Sequence, residues 1–198
     1  MESSTSRFSY PVFLDLHSVA VLVVGGGRIG WRKAEGLLAA GAVVRLVASE
    51  VSSHVDRALI EASGGEVIEQ SFAAEHLSGV RLVITATGDV ETDTTIATAA
   101  RSEGIWTNAA DQPVDCEFIL PAITRTGRVT GAISTDGASP ALAGHLRDRL
   151  AEILDDEVAA IADTLATERA AVQAAGGSTE AIDWRPRIAE LFARSSSH

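Results

Sequence analysis

Little of this 198-residue chain is basic, and two residue types are nearly missing. Cys116 is the only cysteine and Lys33 the only lysine. A single cysteine excludes an intrachain disulfide and a cysteine-only metal site, and it fits a reducing, cytoplasmic setting. Sixteen bases face 27 acids, a formal net charge of −11, which argues against the basic footprint of a nonspecific nucleic-acid binder. Mean hydropathy is +0.17. No apolar run approaches the ~18–20 residues that a membrane span needs, so no membrane partner is expected. The N-terminus has no basic segment followed by an apolar one, so no signal peptide is expected either. His17, His54, His76, His145 and His198 show no pair at metal-ligand spacing, so no resident metal is expected.

The chain is organised around Val19-Ala-Val-Leu-Val-Val-Gly-Gly-Gly-Arg-Ile-Gly30. Six apolar residues in a row predict a strand buried on both faces, as in a parallel sheet. Gly25, Gly27 and Gly30 stand in the G-x-G-x-x-G register, and a helix is predicted from Arg28. The first glycine suits the tight turn, the second a close approach to a pyrophosphate, and the third close helix–strand packing. Backbone N–H groups at Arg28, Ile29 and Gly30 would face the phosphates at the positive end of the helix. With a second strand at Val43–Val47, this order predicts an NAD site.

Further along, strands and helices alternate. The predicted elements are a helix over Arg28–Ala40 closed by Gly41 and a helix over Val51–Ala62 capped by Ser49. A short strand follows at Glu66–Glu69 and another at Arg81–Ala86. A helix is predicted over Thr92–Glu103 and a strand at Ile105–Thr107. This is the pattern of a Rossmann-type doubly wound parallel α/β sheet. After Asp111-Gln-Pro113 it changes: Glu117–Pro121 and Arg128–Ser134 predict two strands joined around Gly127. Ser139-Pro140 opens a helix with Leu142, Leu146, Leu150 and Ile153 on one stripe, and residues 141–194 read as helical with breaks at Gly176 and near Pro186. Tyr10–Leu16 is expected to pack on the sheet, and Met1–Ser9 to fray. The expected domains are therefore 1–112 for NAD binding, 113–150 as a dimerisation connector and 151–198 as a helical C-terminal region. The middle block has four acids and four bases, which makes it neutral within an acidic chain.

Several motifs occur in one fixed order: Tyr10-Pro-x-Phe-Leu-Asp-Leu16, Val23-Val-Gly-Gly-Gly27, Arg32-Lys33, Asn108-x-x-Asp111, Cys116-x-Phe118, Pro121-Ala122 and Ile133-Ser-Thr-x-Gly-x-Ser-Pro-x-Leu-Ala143. Together, from Tyr10 to Leu154, the sequence resembles the precorrin-2 dehydrogenase/sirohydrochlorin ferrochelatase family, including the N-terminal half of siroheme synthases. The resemblance implies NAD-dependent oxidation of precorrin-2, an anionic tetrapyrrole, to sirohydrochlorin on the way to siroheme or cobalamin. It also implies a homodimer built through the connector, and some relatives insert ferrous iron, with ferrous or cobaltous ion as substrate. The segment Thr87-Gly88-Asp89 departs from the family pattern, which has Asn or Asp directly after Ala-Thr.

The resemblance carries the family's key aspartate onto Asp111, which the reading of the chain places in a loop at the carboxyl edge of the sheet. A carboxylate there fits, because oxidation of the macrocycle also releases a proton and needs a base. Alone, the residue reads first as a turn aspartate capping backbone before proline, and only the resemblance reverses that order. Glu50, twenty residues past Gly30, is either the ribose-binding acid or a first-turn helix acid. No arginine follows the second strand to receive a 2′-phosphate, which favours NAD over NADP. Thr85, Thr87 and Asn108 lie at strand ends, where they reach a cofactor or cap loops. Ser134, Thr135 and Ser139 precede the long helix, whose N-terminus binds a substrate carboxylate or is simply capped. Arg125, Arg128, Arg147 and His145 are further candidates for the substrate, each with a plain surface role as its alternative. Cys116 is expected to be buried packing. The rival readings are an NAD-sensing Rossmann module without catalysis and a dehydrogenase of another small acid.

Overall fold

Alternation along the first strand decides how the sheet is filled. The computed structural model describes residues 7–195; the stretch 1–6 of the expected frayed terminus, and His198, lie outside the described residues. Strand β1 (Ala20–Gly26) is buried on both faces. Val21 and Val23 point into one apolar cluster with Ala34, Leu37 and Leu46, while Leu22 and Val24 point into another with Val83, Ile96 and Ala100. Such two-sided burial is what a central parallel strand requires. Each fully buried side chain of this size contributes about 1.5–3 kcal/mol relative to exposure.

The remaining strands are β2 (Val43–Val51), β3 (Glu66–Glu69), β4 (Leu82–Thr85) and β5 (Trp106–Ala109), giving a parallel sheet of order β3-β2-β1-β4-β5. Helices α1 (Arg28–Ala39), α2 (Arg57–Ala62) and α3 (Val90–Ser102) connect them. The order reverses between β1 and β4, the place where open α/β sheets bind ligands beyond their carboxyl ends.

Chain contacts divide the protein into two units, residues 1–120 and 121–198. Residues 113–120 fall in the first: a short 3-10 turn, Pro113–Asp115, leads into Cys116, and the Glu117 N–H donates to the Thr107 carbonyl at 2.8 Å. The second unit begins with an antiparallel pair, β6 (Ala122–Thr126) and β7 (Val129–Ile133), joined by Gly127-Arg128. Gly127 has φ of +51° at the first central position of this two-residue turn, which a side chain would strain. Helices α4 (Pro140–Ile153), α5 (Asp156–Ala174) and α6 (Arg185–Ser195) follow.

Five expectations are corrected. The expected helix over Val51–Ala62 starts only at Arg57, because β2 continues to Val51: the register slips after Val24↔Val47, Gly26 pairs with Val51, and the Ser52 N–H donates to the Gly26 carbonyl at 3.0 Å. Asp56, not Ser49, caps α2 by accepting from the Leu59 N–H. The first strand of the hairpin is 122–126 rather than 117–121, since Cys116–Phe118 is drawn onto β5 by hydrogen bonds from Ala109 and Asn108. The long C-terminal helix is broken at Leu154-Asp155, where Asp155 caps α5, and Pro186 lies inside the first turn of α6, where no N–H partner is needed. Of Tyr10–Leu16, Leu16 packs on the core together with Val19, Trp31, Leu38 and Phe118, while Tyr10 and Phe13 are 87% and 75% exposed.

Candidate cofactor cleft and catalytic edge

A cleft of about 920 Å³ opens at the carboxyl ends of β1, β2 and β4. Its floor is the glycine turn. Gly25 has φ of +128°, and a Cβ there would stand 2.2 Å from the Ala86 carbonyl oxygen. A Cβ on Gly30 would stand 2.0 Å from the Gly25 carbonyl oxygen, so helix α1 rests directly on the turn. Gly27 is different: a Cβ there meets nothing within 4 Å, because the residue faces the cleft.

Gly27 is also the N-cap of α1 and offers no side-chain cap, and no acid stands in the first turn. The Trp31 N–H is taken by the Gly27 carbonyl. The N–H groups of Arg28, Ile29 and Gly30 have no acceptor among the described residues. Uncapped amides beside a glycine floor form an anion cradle. The sequence-predicted Arg28, Ile29 and Gly30 do not themselves line the cleft; what they offer beside it is their unpaired backbone N–H groups.

Glu50 and Ser52 lie on the opposite wall, at the end of β2. Glu50 stands on an extended strand, which removes its alternative as a helix acid. The Ser52 hydroxyl oxygen is buried without a partner, a polar group left over for a ligand. The cleft wall has no lysine, arginine or histidine among the described residues, whereas Glu50, Asp89 and Glu91 line it. A dinucleotide with hydroxyls on its ribose fits that wall; one with an additional phosphate meets only acids. The hydrogen bonds of Asp89 from the Thr92 hydroxyl and N–H hold its carboxyl below the usual range, so it stays charged as the cap of α3.

Thr87 lines the cleft, but Thr85 is fully buried in β4 with its hydroxyl unpartnered. Asn108 is buried too: its amide donates to the Phe118 carbonyl at 2.9 Å and touches Cys116 Sγ at 3.6 Å, the loop-holding alternative. Cys116 is buried as expected, and burial pushes its thiol pKa up.

Asp111 sits exposed just past β5, at the carboxyl edge of the sheet. Its φ of +60° puts it in the left-handed region, which aspartate tolerates better than most residues. The half-buried Lys33 ammonium of α1 has a lowered pKa, first through burial and then through Arg32; Asp111 and Cys116 act on it in the opposite sense.

The second unit gathers Ser134, Thr135 and Ser139 before α4, but as a cap. Ser139 Oγ accepts from the Leu142 N–H at 3.2 Å, the Ser139 N–H donates to Thr135 Oγ at 3.2 Å, and Ser134 Oγ accepts from the Asp136 N–H at 3.1 Å. Arg128 is paired with Asp163 and Arg147 with Asp148; Arg125 and His145 are exposed and have no partner among the described residues. The described residues contain no cluster of three or more metal-ligating side chains, and no helix long and apolar enough to cross a membrane.

Sequence reading missed Ser52, Ser71 and Phe72 as cleft residues, Asp93 as the side chain that holds Thr87, and Gln112 as the donor to Asp93. Ser52 was hidden by the expected helix. Asp93 and Gln112 carry no local signal, because only the fold brings them together.

Two family descriptions match the chain. That of "Putative NAD(P)-binding" covers residues 12–122, and that of "Sirohaem biosynthesis protein central" covers residues 132–153. The siroheme synthase of Methylococcus capsulatus is 38% identical over 169 residues, 83% of this chain and 35% of that protein. Siroheme synthase 1 of Halorhodospira halophila is 36% identical over 183 residues, 91% of this chain and 37% of that protein. The chain spans about a third of the length of the curated relatives it matches. A solved structure described as SirC, precorrin-2 dehydrogenase, matches with a TM-score of 0.71 at 27% identity, covering 96% of this chain and 100% of that one. Its architecture is the one seen here: a parallel sheet with flanking helices, a strand pair and C-terminal helices. Matched over more than half its length by the NAD(P)-binding description and from β7 into α4 by the sirohaem one, the chain belongs to the NAD-binding sirohaem-biosynthesis family that includes the N-terminal half of siroheme synthases.

Proposed function

We propose that this protein is an NAD-dependent precorrin-2 dehydrogenase, converting precorrin-2 to sirohydrochlorin in siroheme or cobalamin synthesis. The observation that carries the reading is the end-to-end likeness to the SirC structure, which includes the region beyond the nucleotide cleft. The glycine floor and the free amides of α1 hold the cofactor's phosphates, and Glu50 and Ser52 take ribose hydroxyls. When bound, NAD supplies the hydride acceptor. Removing two hydrogens from the macrocycle leaves one proton to be taken up, and Asp111 at the same sheet edge is the base for it.

The remaining parts of the reading follow from the same family. The substrate is the anionic tetrapyrrole, and Arg125, His145 and the Ala141 amide are among the groups of the second unit that stand free among the described residues to meet its carboxylates. Leu142, Leu146 and Ile153 are exposed on α4, a face that a second copy of the chain covers in a homodimer. Ferrous or cobaltous ion is a second substrate, inserted after oxidation, and the reaction runs in the cytoplasm.

The test is to mix purified protein with precorrin-2 and NAD and follow the macrocycle's absorption, then add ferrous or cobaltous ion. Sirohydrochlorin should form only with NAD. Unreacted precorrin-2 in a protein that binds NAD would overturn the enzyme and favour a sensing module.

A further inference from the structure

Asp93, in the first turn of α3, is only 2% exposed, and no ion pair among the described residues compensates its charge. A buried carboxylate in that position is costly unless donors surround it. Three do. Oδ1 accepts from the Thr87 hydroxyl at 2.9 Å and from the Thr87 N–H at 3.2 Å, and Oδ2 accepts from the Gln112 amide at 3.3 Å. The N-terminus of α3 adds its positive end. Gln112 is held again from the same helix, where the Thr94 hydroxyl lies 3.3 Å from its Oε1 and donates to Asp115 at 2.8 Å.

The two arms of this carboxylate reach different places. Thr87 is part of the cleft wall, whereas Gln112 directly follows Asp111. Between them, Asp111 adopts its left-handed conformation in a turn closed by the Gln112 N–H on the Ala109 carbonyl at 3.2 Å. No ion pair or hydrogen bond among the described residues holds the Asp111 side chain.

We propose that Asp93 is a positioning residue for Asp111: one buried carboxylate, tied by one oxygen to the cofactor wall and by the other to the catalytic turn, sets where the Asp111 carboxylate stands relative to the cleft. The proposal rests on the reading of Asp111 as the base. Its chemical content is separate, because it assigns a function to a residue that touches neither cofactor nor substrate. Asp111 must reach a proton in the substrate while the cofactor fills the cleft, and a misplacement of about 1 Å can cost ~10²-fold in rate.

The test compares Asp93→Ala, Asp93→Asn, Gln112→Ala, Asp111→Asn and the Asp93→Ala/Asp111→Asn double variant. Asp93→Ala should lower kcat by about 10- to 100-fold while NAD affinity, read by calorimetry, changes less than about threefold. Asp93→Asn keeps an acceptor for Thr87 and can pair with a flipped Gln112 amide, so it should recover most of the rate. Gln112→Ala cuts one arm only, keeping both Thr87 bonds to Oδ1 while leaving Oδ2 without its donor, and should also lower kcat; it serves if Asp93→Ala does not fold. Because Asp93 acts through Asp111, the double variant should be no slower than Asp111→Asn alone. Independent of activity, amide exchange at residues 110–112 should quicken in Asp93→Ala, with β4 still protected. Losses that multiply in the double variant, a folded Asp93→Ala with kcat within about twofold of the parent, or unchanged exchange at 110–112 would each overturn the proposal. If the parent protein does not oxidise precorrin-2, the functional reading fails, and the exchange measurement still decides whether Asp93 holds the turn.

Discussion

The two units of this chain differ most in what they bury. Of the buried apolar side chains among the described residues, nearly all belong to the first unit, on either face of the parallel sheet; the second contributes Ala143 and Ile161. The first unit leaves polar backbone exposed where it is useful, at the glycine turn. Both leave apolar side chains exposed, Phe13 and Val114 at 75% each in the first, Ile153 at 67% and Leu142 at 47% in the second. A unit of 78 residues with so small an interior is marginal alone. The chemistry proposed for the first unit and the association proposed for the second can each be broken separately.

The largest expected effect is on chemistry. Asp111→Asn keeps size and most hydrogen bonding but removes the base, so sirohydrochlorin formation at saturating NAD and substrate should slow by ~10²–10⁴-fold. A loss below about fivefold would move the proton to another group and take the catalytic step away from this edge of the first unit. Next comes the cofactor. Gly27→Asp has room for its side chain, so the fold should persist, but the carboxylate would occupy the phosphate cradle. NAD affinity should fall by about two orders of magnitude in calorimetry, and unchanged affinity would remove residues 25–30 from the site.

Association is the next rung. Light scattering at micromolar concentration should give twice 20.6 kDa, and Leu146→Asp should shift the mass toward one copy. A parent protein that is already monomeric would mean the exposed apolar face of the second unit has some other use. The smallest effect is a pH dependence confined to that unit. Arg187 of α6 bonds Glu168 of α5 at 2.5 Å and Glu190 at 2.7 Å, and both carboxyls are held below the ordinary carboxylate range, chiefly by hydrogen bonds from Arg187. Depressed acids stabilise above their unfolded pKa and lose that contribution as pH falls through the folded one. Protection of α6 amides should therefore weaken below about pH 4, with little change before that, because exposed pairs contribute modestly. Loss of α6 protection near neutrality would point to another cause.

Much of this was legible in the chain itself. The valine run, three glycines in register and the helix behind them are local signals, and β1, α1 and β3 fall where they were expected. Ser139-Pro140 likewise announced α4 correctly. The end of β2 was not legible, because Ser49-Glu50 looks like a helix start and only the slipped pairing of Gly26 with Val51 keeps it extended. Asn108 illustrates the same limit in the site. A polar residue at a strand end suggests a ligand, yet the fold turns it inward onto Phe118 and Cys116. Thr87, Asp93 and Gln112 meet across 25 residues of chain, a distance no periodicity reports.

Among the described residues the wall of the cofactor cleft has acids but no base, so the anion cradle at Gly27 is made of neutral dipoles. Neutral donors neither titrate nor attract a cloud of counter-ions. Binding through them is expected to vary little with buffer strength, whereas a site built on surface arginines would weaken as salt rises within a Debye length of about 8–10 Å. The fixed acids around the cradle add mild repulsion toward any phosphate that enters, and salt screens that repulsion. For this protein, then, added salt should leave cofactor affinity level or raise it slightly, so changes in ionic conditions would act on the meeting with a polyanionic substrate rather than on the loading of the cofactor.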